Sequence, residues 1–125
     1  AHPELHGPRA IEILREEGFG DEVMYHAIMA HNKCTKTPIK SPLDRAIYAA
    51  DPITGFINAI TLVYPDKKIE KVKVKSITKR MHETRFAAGA DREAMWSIEE
   101  LGMDFRDFAE LSLNAMKEIS GELGL

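Results

Sequence analysis

Helix start signals recur along this chain, and each is followed by apolar residues at helical spacing. Asp21, Asp91 and Asp104 are of a residue type that caps the N-terminus of a helix. Ser41-Pro42-Leu43-Asp44 combines a capping serine, a proline suited to the first turn and an acid that can complete a capping box. Because helical starts and helical periods account for most of the chain, the sequence predicts an all-α fold.

The predicted helices number five to six. They are placed at about Glu4–Glu17, from Asp21 to the loop Lys33–Lys40, from Ser41 to about Val63, at about Val74–Glu83, from Asp91 to before Gly102, and from Asp104 onwards. The segment Lys67–His82 has both strand-like and helix-like spacing, and we choose helix because the chain offers no second strand to pair with it. The predicted core side of the last helix is formed by Phe105, Phe108, Leu111, Ala115, Met116 and Ile119.

The composition fits one globular domain in a reducing compartment. The chain has 125 residues, of which 44% are hydrophobic and 30% are charged. With a net charge of −3 and no apolar run of membrane-spanning length, neither a membrane nor a specific nucleic acid is an expected partner. Cys34 is the only cysteine, so an internal disulfide is excluded and a cytoplasmic location is favoured.

Two histidines on the helix that starts at Asp21 are expected to differ. The apolar arc of this helix is formed by Val23, Met24, Ala27 and Ile28. At about 100° per residue, His31 falls near the centre of that arc, whereas His26 falls towards solvent. We therefore predict that His31 faces the interior, either as a core histidine hydrogen-bonded to a carbonyl or as a ligand.

Asp51 is the second candidate, since it lies within the third predicted helix. The apolar stripe of that helix is formed by Leu43, Ala46, Ile47 and Ala50, and Asp51 is at its edge. A carboxylate there must be paired or bound to a metal if it is buried, or else it reaches solvent at the edge. Pro52 should bend the helix beside it. Asn58, two turns further on, is placed to orient the Asp51 carboxylate.

His6 precedes the first helix, and alone it would be interpreted as a surface histidine. Together, His6, His31 and Asp51 supply two imidazoles and a carboxylate from three successive helices. This donor set suits a divalent cation, with iron, manganese and zinc all plausible. The sequence therefore predicts a metal site in which His31 and Asp51 approach each other and His6 lies on the same side.

The order and spacing of these residues resemble the HD superfamily of metal-dependent phosphohydrolases. The matching segments are His6-Gly7-Pro8-Arg9-Ala10, Ile13-Leu14, Ala27-Ile28-Met29-Ala30-His31-Asn32 and Ser41-Pro42-Leu43-Asp44-Arg45-Ala46-Ile47-Tyr48-Ala49-Ala50-Asp51. The resemblance covers roughly Leu5–Gly55. It implies an HD-like helical bundle in which residues 1–63 carry metal ligands and residues 64–125 form a helical extension. By the same resemblance His6 and His31 are the family's additional histidines, and Asp51 is its closing aspartate.

The resemblance also implies an activity, namely hydrolysis of a small phosphorylated molecule or nucleotide by metal-activated water. Basic side chains near the expected site are candidates to meet the substrate phosphates. They are Lys33, Lys36 and Lys40 in the loop after His31, and Arg85 and Arg92 around a glycine-containing loop.

The His-Asp pair that names the family is absent from these 125 residues. By the resemblance, the helices that carry it would precede Ala1, and we expect the chain alone to be an inactive hydrolase. Such a chain would expose apolar surface and either form a homodimer or bind the missing N-terminal segment. The alternative is a non-catalytic helical interaction or regulatory module derived from the HD fold.

Overall fold

The structure, a computed structural model, describes residues 2–125 and confirms the all-α prediction: within them it has seven α-helices and no strand. The helices are α1 (Pro8–Glu16), α2 (Glu22–His31), α3 (Pro42–Val63), α4 (Val74–Met81), α5 (Arg92–Trp96), α6 (Phe105–Glu118) and α7 (Ser120–Leu123). Turns of 3-10 helix occur at Pro3–Leu5, Lys33–Thr35, Ile69–Lys71 and Ser97–Leu101.

The predicted start signals cap their helices. The Asp21 carboxylate accepts from the backbone N–H of Met24 at 2.9 Å, and Asp91 and Asp104 accept in the same way at 3.0 and 2.8 Å. At the start of α3, the Ser41 hydroxyl accepts from the N–H of Asp44, and the Asp44 carboxylate accepts from the N–H of Ser41. This reciprocal pair is the predicted capping box.

Other helix boundaries differ from the predicted ones. The first helix begins at Pro8 rather than Glu4, because Gly7 has a φ of +111° and interrupts the helical path. In the ambiguous segment, the choice of helix over strand is correct for Val74–Met81, and a 3-10 turn precedes it.

The chain divides into two compact units, Ala1–Tyr48 and Ala49–Leu125. The division lies inside α3, whereas the sequence analysis placed a subdivision between residues 63 and 64, at the end of that helix.

The first unit is built around an α1–α2 hairpin with few buried side chains. Arg15 of α1 makes two hydrogen bonds with the Glu22 carboxylate, at 2.8 and 3.1 Å, and lies over the Tyr25 ring. The Tyr25 hydroxyl donates to the Phe19 carbonyl at 2.6 Å. α1 buries no residue, and α2 buries Tyr25, Ala27 and Ala30. The predicted arc of α2 was wrong at Val23, which is 57% exposed.

The second unit has a continuous apolar core. α3 buries one stripe of residues at helical spacing, formed by Ala49, Ile53, Phe56, Ile57 and Ile60. The predicted stripe on its N-terminal half was wrong at Leu43 and Ile47, which are exposed. α6 buries Phe105, Phe108, Ala109, Leu113 and Met116. The predictions for Leu111, Ala115 and Ile119 were wrong, because the buried face of α6 runs through positions 105, 109, 113 and 116.

α3 is long and apolar enough to cross a membrane by length and composition, a test that core helices of soluble proteins also pass. One third of its most apolar 18-residue window is buried inside the protein.

Candidate metal-binding site

The first unit brings two of the predicted ligands together. The Nε2 atoms of His6 and His31 are 2.9 Å apart, and the two rings meet edge to face with centroids 4.9 Å apart. Twenty-five residues separate the two histidines in sequence, so this contact is tertiary. His31 is half-buried and His6 is exposed, so the pair lies at the surface of the unit.

The carbonyl of Ile28 fixes the orientation of the His31 ring. Nδ1 of His31 makes a short hydrogen bond to this carbonyl, one turn back on α2. Since a carbonyl can only accept, Nδ1 carries the proton, and in neutral imidazole Nε2 then holds a lone pair. This arrangement is the one found behind metal-bound histidines, where a backbone carbonyl sets the tautomer.

Two further features hold His6 against the end of α2. The Asn32 side chain donates to the carbonyl of Pro3 at 2.8 Å and to that of His6 at 2.6 Å. Gly7 is buried, and a Cβ built there would lie 3.3 Å from the Ile28 carbonyl oxygen. Gly7 therefore allows the chain to approach the same carbonyl that orients His31.

The spacing of the two nitrogens fits a shared cation. Two imidazole nitrogens that each lie about 2.0–2.1 Å from one cation are about 2.9 Å apart when the N–metal–N angle is 90°, as in octahedral coordination, and about 3.3–3.4 Å apart at the tetrahedral angle that zinc prefers. Without a cation the same spacing is a hydrogen bond, in which Nε2 of His6 donates to the lone pair of His31. Iron, manganese and zinc all accept imidazole nitrogen, so the donor type fits the predicted metals.

An open groove of about 590 Å³ lies beside the pair and is lined by His2, Pro3, Leu5, His6 and Asn32. One imidazole of the pair is thus accessible to a small ligand. Among residues 2–125, no group of three or more His, Cys, Asp or Glu side chains is arranged to hold a metal. The described chain therefore supplies two nitrogen ligands, and the remaining coordination positions of a bound cation would be open to water or substrate.

Asp51, the third predicted ligand, belongs to the second unit, where it is exposed. There it lines a groove of about 520 Å³ that also includes Pro52, Gly55, Gly89 and Asp91. Its exposure matches the alternative in which the carboxylate reaches solvent at the edge of the helix. Asn58 is also exposed, and no hydrogen bond joins it to Asp51 within the described chain. The role of Asp51 as a metal ligand stays a prediction.

The buried carboxylate of α3 is Asp44, which sequence reasoning treated only as a capping residue. It is 0% exposed, and Oδ2 lies 2.7 Å from Nδ1 of His26 and 2.9 Å from the backbone nitrogen of Lys40. Burial by itself raises the pKa of the Asp44 carboxyl, but hydrogen bonds from His26, Lys40 and Ser41 outweigh it and lower the pKa to about 2.

The expected contrast between His26 and His31 is not observed, because both are half-buried. His26 is turned towards the Asp44 carboxylate, a partner that the apolar arc of α2 does not reveal. The capping box is the sequence signal that could have indicated this partner. A capping acid accepts hydrogen bonds from the backbone at the start of its own helix, which shields its carboxylate from water.

The predicted phosphate-binding residues differ in their surroundings. Lys33, Lys36 and Lys40 are exposed, and Nζ of Lys33 lies 5.8 Å from the centre of the Tyr48 ring. Arg85 is exposed as well.

Arg92 has a structural task within the second unit. Its guanidinium donates to five backbone carbonyls between residues 80 and 87, at distances from 2.6 to 3.3 Å. It also lies over the Phe56 ring, with the guanidinium carbon 5.2 Å from the ring centre. These contacts hold the loop between α4 and α5, and a role with substrate stays a prediction.

Comparisons of the chain with protein-family models, curated proteins and solved structures found no match.

Proposed function

We propose that this protein binds a divalent cation through His6 and His31, and that this pair belongs to the metal site of a phosphohydrolase acting on a small phosphorylated molecule or nucleotide. The observation that carries the proposal is the 2.9 Å approach of the two Nε2 atoms, with Nδ1 of His31 tied to a backbone carbonyl. The reaction class rests on the resemblance to the HD superfamily, and iron, manganese and zinc are the candidate metals.

When bound, the metal would lower the pKa of a water ligand and neutralise charge on the phosphoryl oxygens. Individual residues of the protein have defined roles at this site. His31 presents a lone pair in a fixed direction because its other nitrogen is committed to Ile28. Asn32 keeps His6 in reach by holding the backbone on either side of it. The exposed lysines at 33, 36 and 40 supply cations that can meet a phosphate.

The test is metal affinity measured by titration calorimetry with manganese, zinc and ferrous iron, followed by hydrolysis assays on mono- and diester phosphates. We expect one cation per chain, and we expect His6→Gln and His31→Gln each to weaken binding by at least about 100-fold. His82→Gln is the matched control, since His82 is an exposed histidine of the second unit. Equal affinity in all four proteins would refute the site, and ester hydrolysis that is as fast in His6→Gln and His31→Gln as in the unmodified chain would show that the site has no part in the activity.

A second candidate function, the non-catalytic interaction module, is favoured by exposed apolar side chains in the first unit. Leu5, Phe19 and Val23 are 52, 62 and 57% exposed, and Ile13 is exposed as well. Large exposed apolar patches mark surfaces that bind other proteins. Concentration-dependent dimerisation that is lost in Phe19→Ser, in a chain that binds no metal, would select this function over the first.

A further inference from the structure

Lysines are concentrated in one short segment of the second unit. Six of the ten lysines in the chain lie between residues 67 and 79, and we call them the lysine patch: Lys67, Lys68, Lys71, Lys73, Lys75 and Lys79. The only acid within this segment is Glu70, so its local formal charge is +5 in a chain whose net charge is −3. The total charge therefore conceals a strongly basic segment.

All six lysines are exposed. Among the described residues, only Lys71 forms an ion pair, with Asp66 at 2.7 Å. Within residues 2–125 the other five form no ion pair with a carboxylate, and this charge is available to a partner outside the chain. Closely spaced lysines without counter-charges repel one another, so an anionic surface would relieve the repulsion.

The core holds the segment that carries the patch. Ile69, Val72 and Ile77 lie between the lysines in sequence and are fully buried. The Tyr64 hydroxyl and the Ser76 hydroxyl are 2.7 Å apart, which joins the end of α3 to the first turn of α4. The lysines are thus presented by a fixed backbone, so that binding a partner orders only their side chains.

Two exposed apolar side chains precede the patch closely in sequence. Leu62 and Val63 end α3 and are 50 and 54% exposed. Tyr64, the following residue, is hydrogen-bonded to Ser76, which lies between Lys73 and Lys79 on the chain. Basic side chains beside exposed aliphatic ones are typical of proteins that bind a membrane surface, where lysines meet headgroups and aliphatic groups enter the acyl boundary.

We infer that the lysine patch, together with Leu62 and Val63, binds the surface of a membrane that contains anionic lipids. This departs from the expectation drawn from the net charge, which averages over the basic segment and the acidic remainder. The inference concerns attachment to a surface only, since Ile53, Phe56 and Ile57 of α3 are committed to the core. It is independent of the metal site in the first unit.

The test is co-sedimentation of the full chain with vesicles of phosphatidylcholine containing about 30% phosphatidylserine, against pure phosphatidylcholine vesicles. We expect binding to the anionic vesicles alone, weakening as NaCl rises from about 0.05 to 0.5 M. Each lysine near an anionic surface contributes about fivefold to partitioning, so the triple variant K73Q/K75Q/K79Q should bind about 100-fold more weakly.

The matched control is R9Q/R106Q/K117Q, which removes the same charge from positions outside the lysine patch and should bind like the unmodified chain. The double variant L62S/V63S keeps every charge and should lose about tenfold while keeping its salt dependence. Equal binding to neutral vesicles, or equal loss in the control, would overturn the inference. So would retention by a single-stranded oligonucleotide with no retention by vesicles, since the patch would then be a nucleic-acid surface.

Discussion

The two units of this protein are stabilised in different ways. The second unit buries sixteen residues in one apolar cluster, including Phe56, Ile57 and Phe105. The first unit buries few, and polar contacts to the backbone hold it: Asn32 to the Pro3 segment, Tyr25 to Phe19, and Asp44 to the start of α3. The imidazole pair lies in the polar unit, whose geometry is fixed by directional hydrogen bonds rather than by buried area.

The largest expected effect is in the apolar unit. Phe56 is 1% exposed and contacts Phe86 edge to face, so Phe56→Ala should lower the free energy of unfolding by about 3–5 kcal/mol. Leu111→Ala is the control, since Leu111 is exposed and should lose less than about 0.5 kcal/mol. Urea unfolding followed by circular dichroism measures both, and equal losses would mean that the core assignment is wrong.

The next test concerns the backbone of the polar unit. Gly7→Ala places a Cβ 3.3 Å from the Ile28 carbonyl oxygen at a φ of +111°, which should cost about 1–3 kcal/mol. Gly55→Ala is its counterpart in α3, where nothing lies within 4 Å of the added Cβ, and it should stabilise by about 0.5–1 kcal/mol. Thermal unfolding should separate the two variants in opposite directions; a shift of the same sign in both would contradict the role of Gly7.

Acid should weaken the polar unit through Asp44. Its pKa is lowered from 3.8 to about 2 in the folded protein, so its stabilising contribution is complete above pH 4 and is lost as the pH falls towards 2. The loss is about 2 kcal/mol. Asp44→Asn removes the titrating group, and the difference in stability between the two proteins should therefore shrink over this pH range. A constant difference would show that the Asp44 carboxyl titrates normally.

The smallest expected effect is that of Asn32→Ala, which removes the two hydrogen bonds to the carbonyls of Pro3 and His6 and the one that Asn32 accepts from the N–H of Cys34. We expect a loss of about 1 kcal/mol, confined to the first unit. Amide exchange read residue by residue should show faster exchange around the Pro3–Leu5 turn and α2, with the core of the second unit unchanged. Uniform acceleration in both units would argue against their separate stabilisation.

The sequence predicts local features of this fold well and tertiary ones poorly. Each cap is decided by a few adjacent residues, which is why Asp21, Asp91 and Asp104 were identified correctly. Which face of a helix is buried depends on what packs against it. For that reason the buried carboxylate of α3 is Asp44, although the sequence analysis chose Asp51. In the same way Leu111 is exposed, although it was predicted to lie in the core.

The same reasoning applies to the site. The approach of His6 to His31 depends on Gly7 and on the hydrogen bonds from Asn32 to two carbonyls. The spacing of apolar residues along the chain cannot predict these contacts. The chemical type of the side chains and the family resemblance identified both histidines. The His26–Asp44 contact was missed because His26 was predicted to face solvent and Asp44 was interpreted only as part of a capping box.

The most direct test of the metal proposal uses the contrast between the units, with amide hydrogen exchange measured with and without zinc or manganese. A cation shared by His6 and His31 stabilises only the state in which they meet, so it should slow exchange in α2 and around Pro3–Leu5. Exchange in the core of the second unit should change little. In His31→Gln the metal should have no effect, and protection that persists in that variant, or is absent from the unmodified chain, would contradict the proposal.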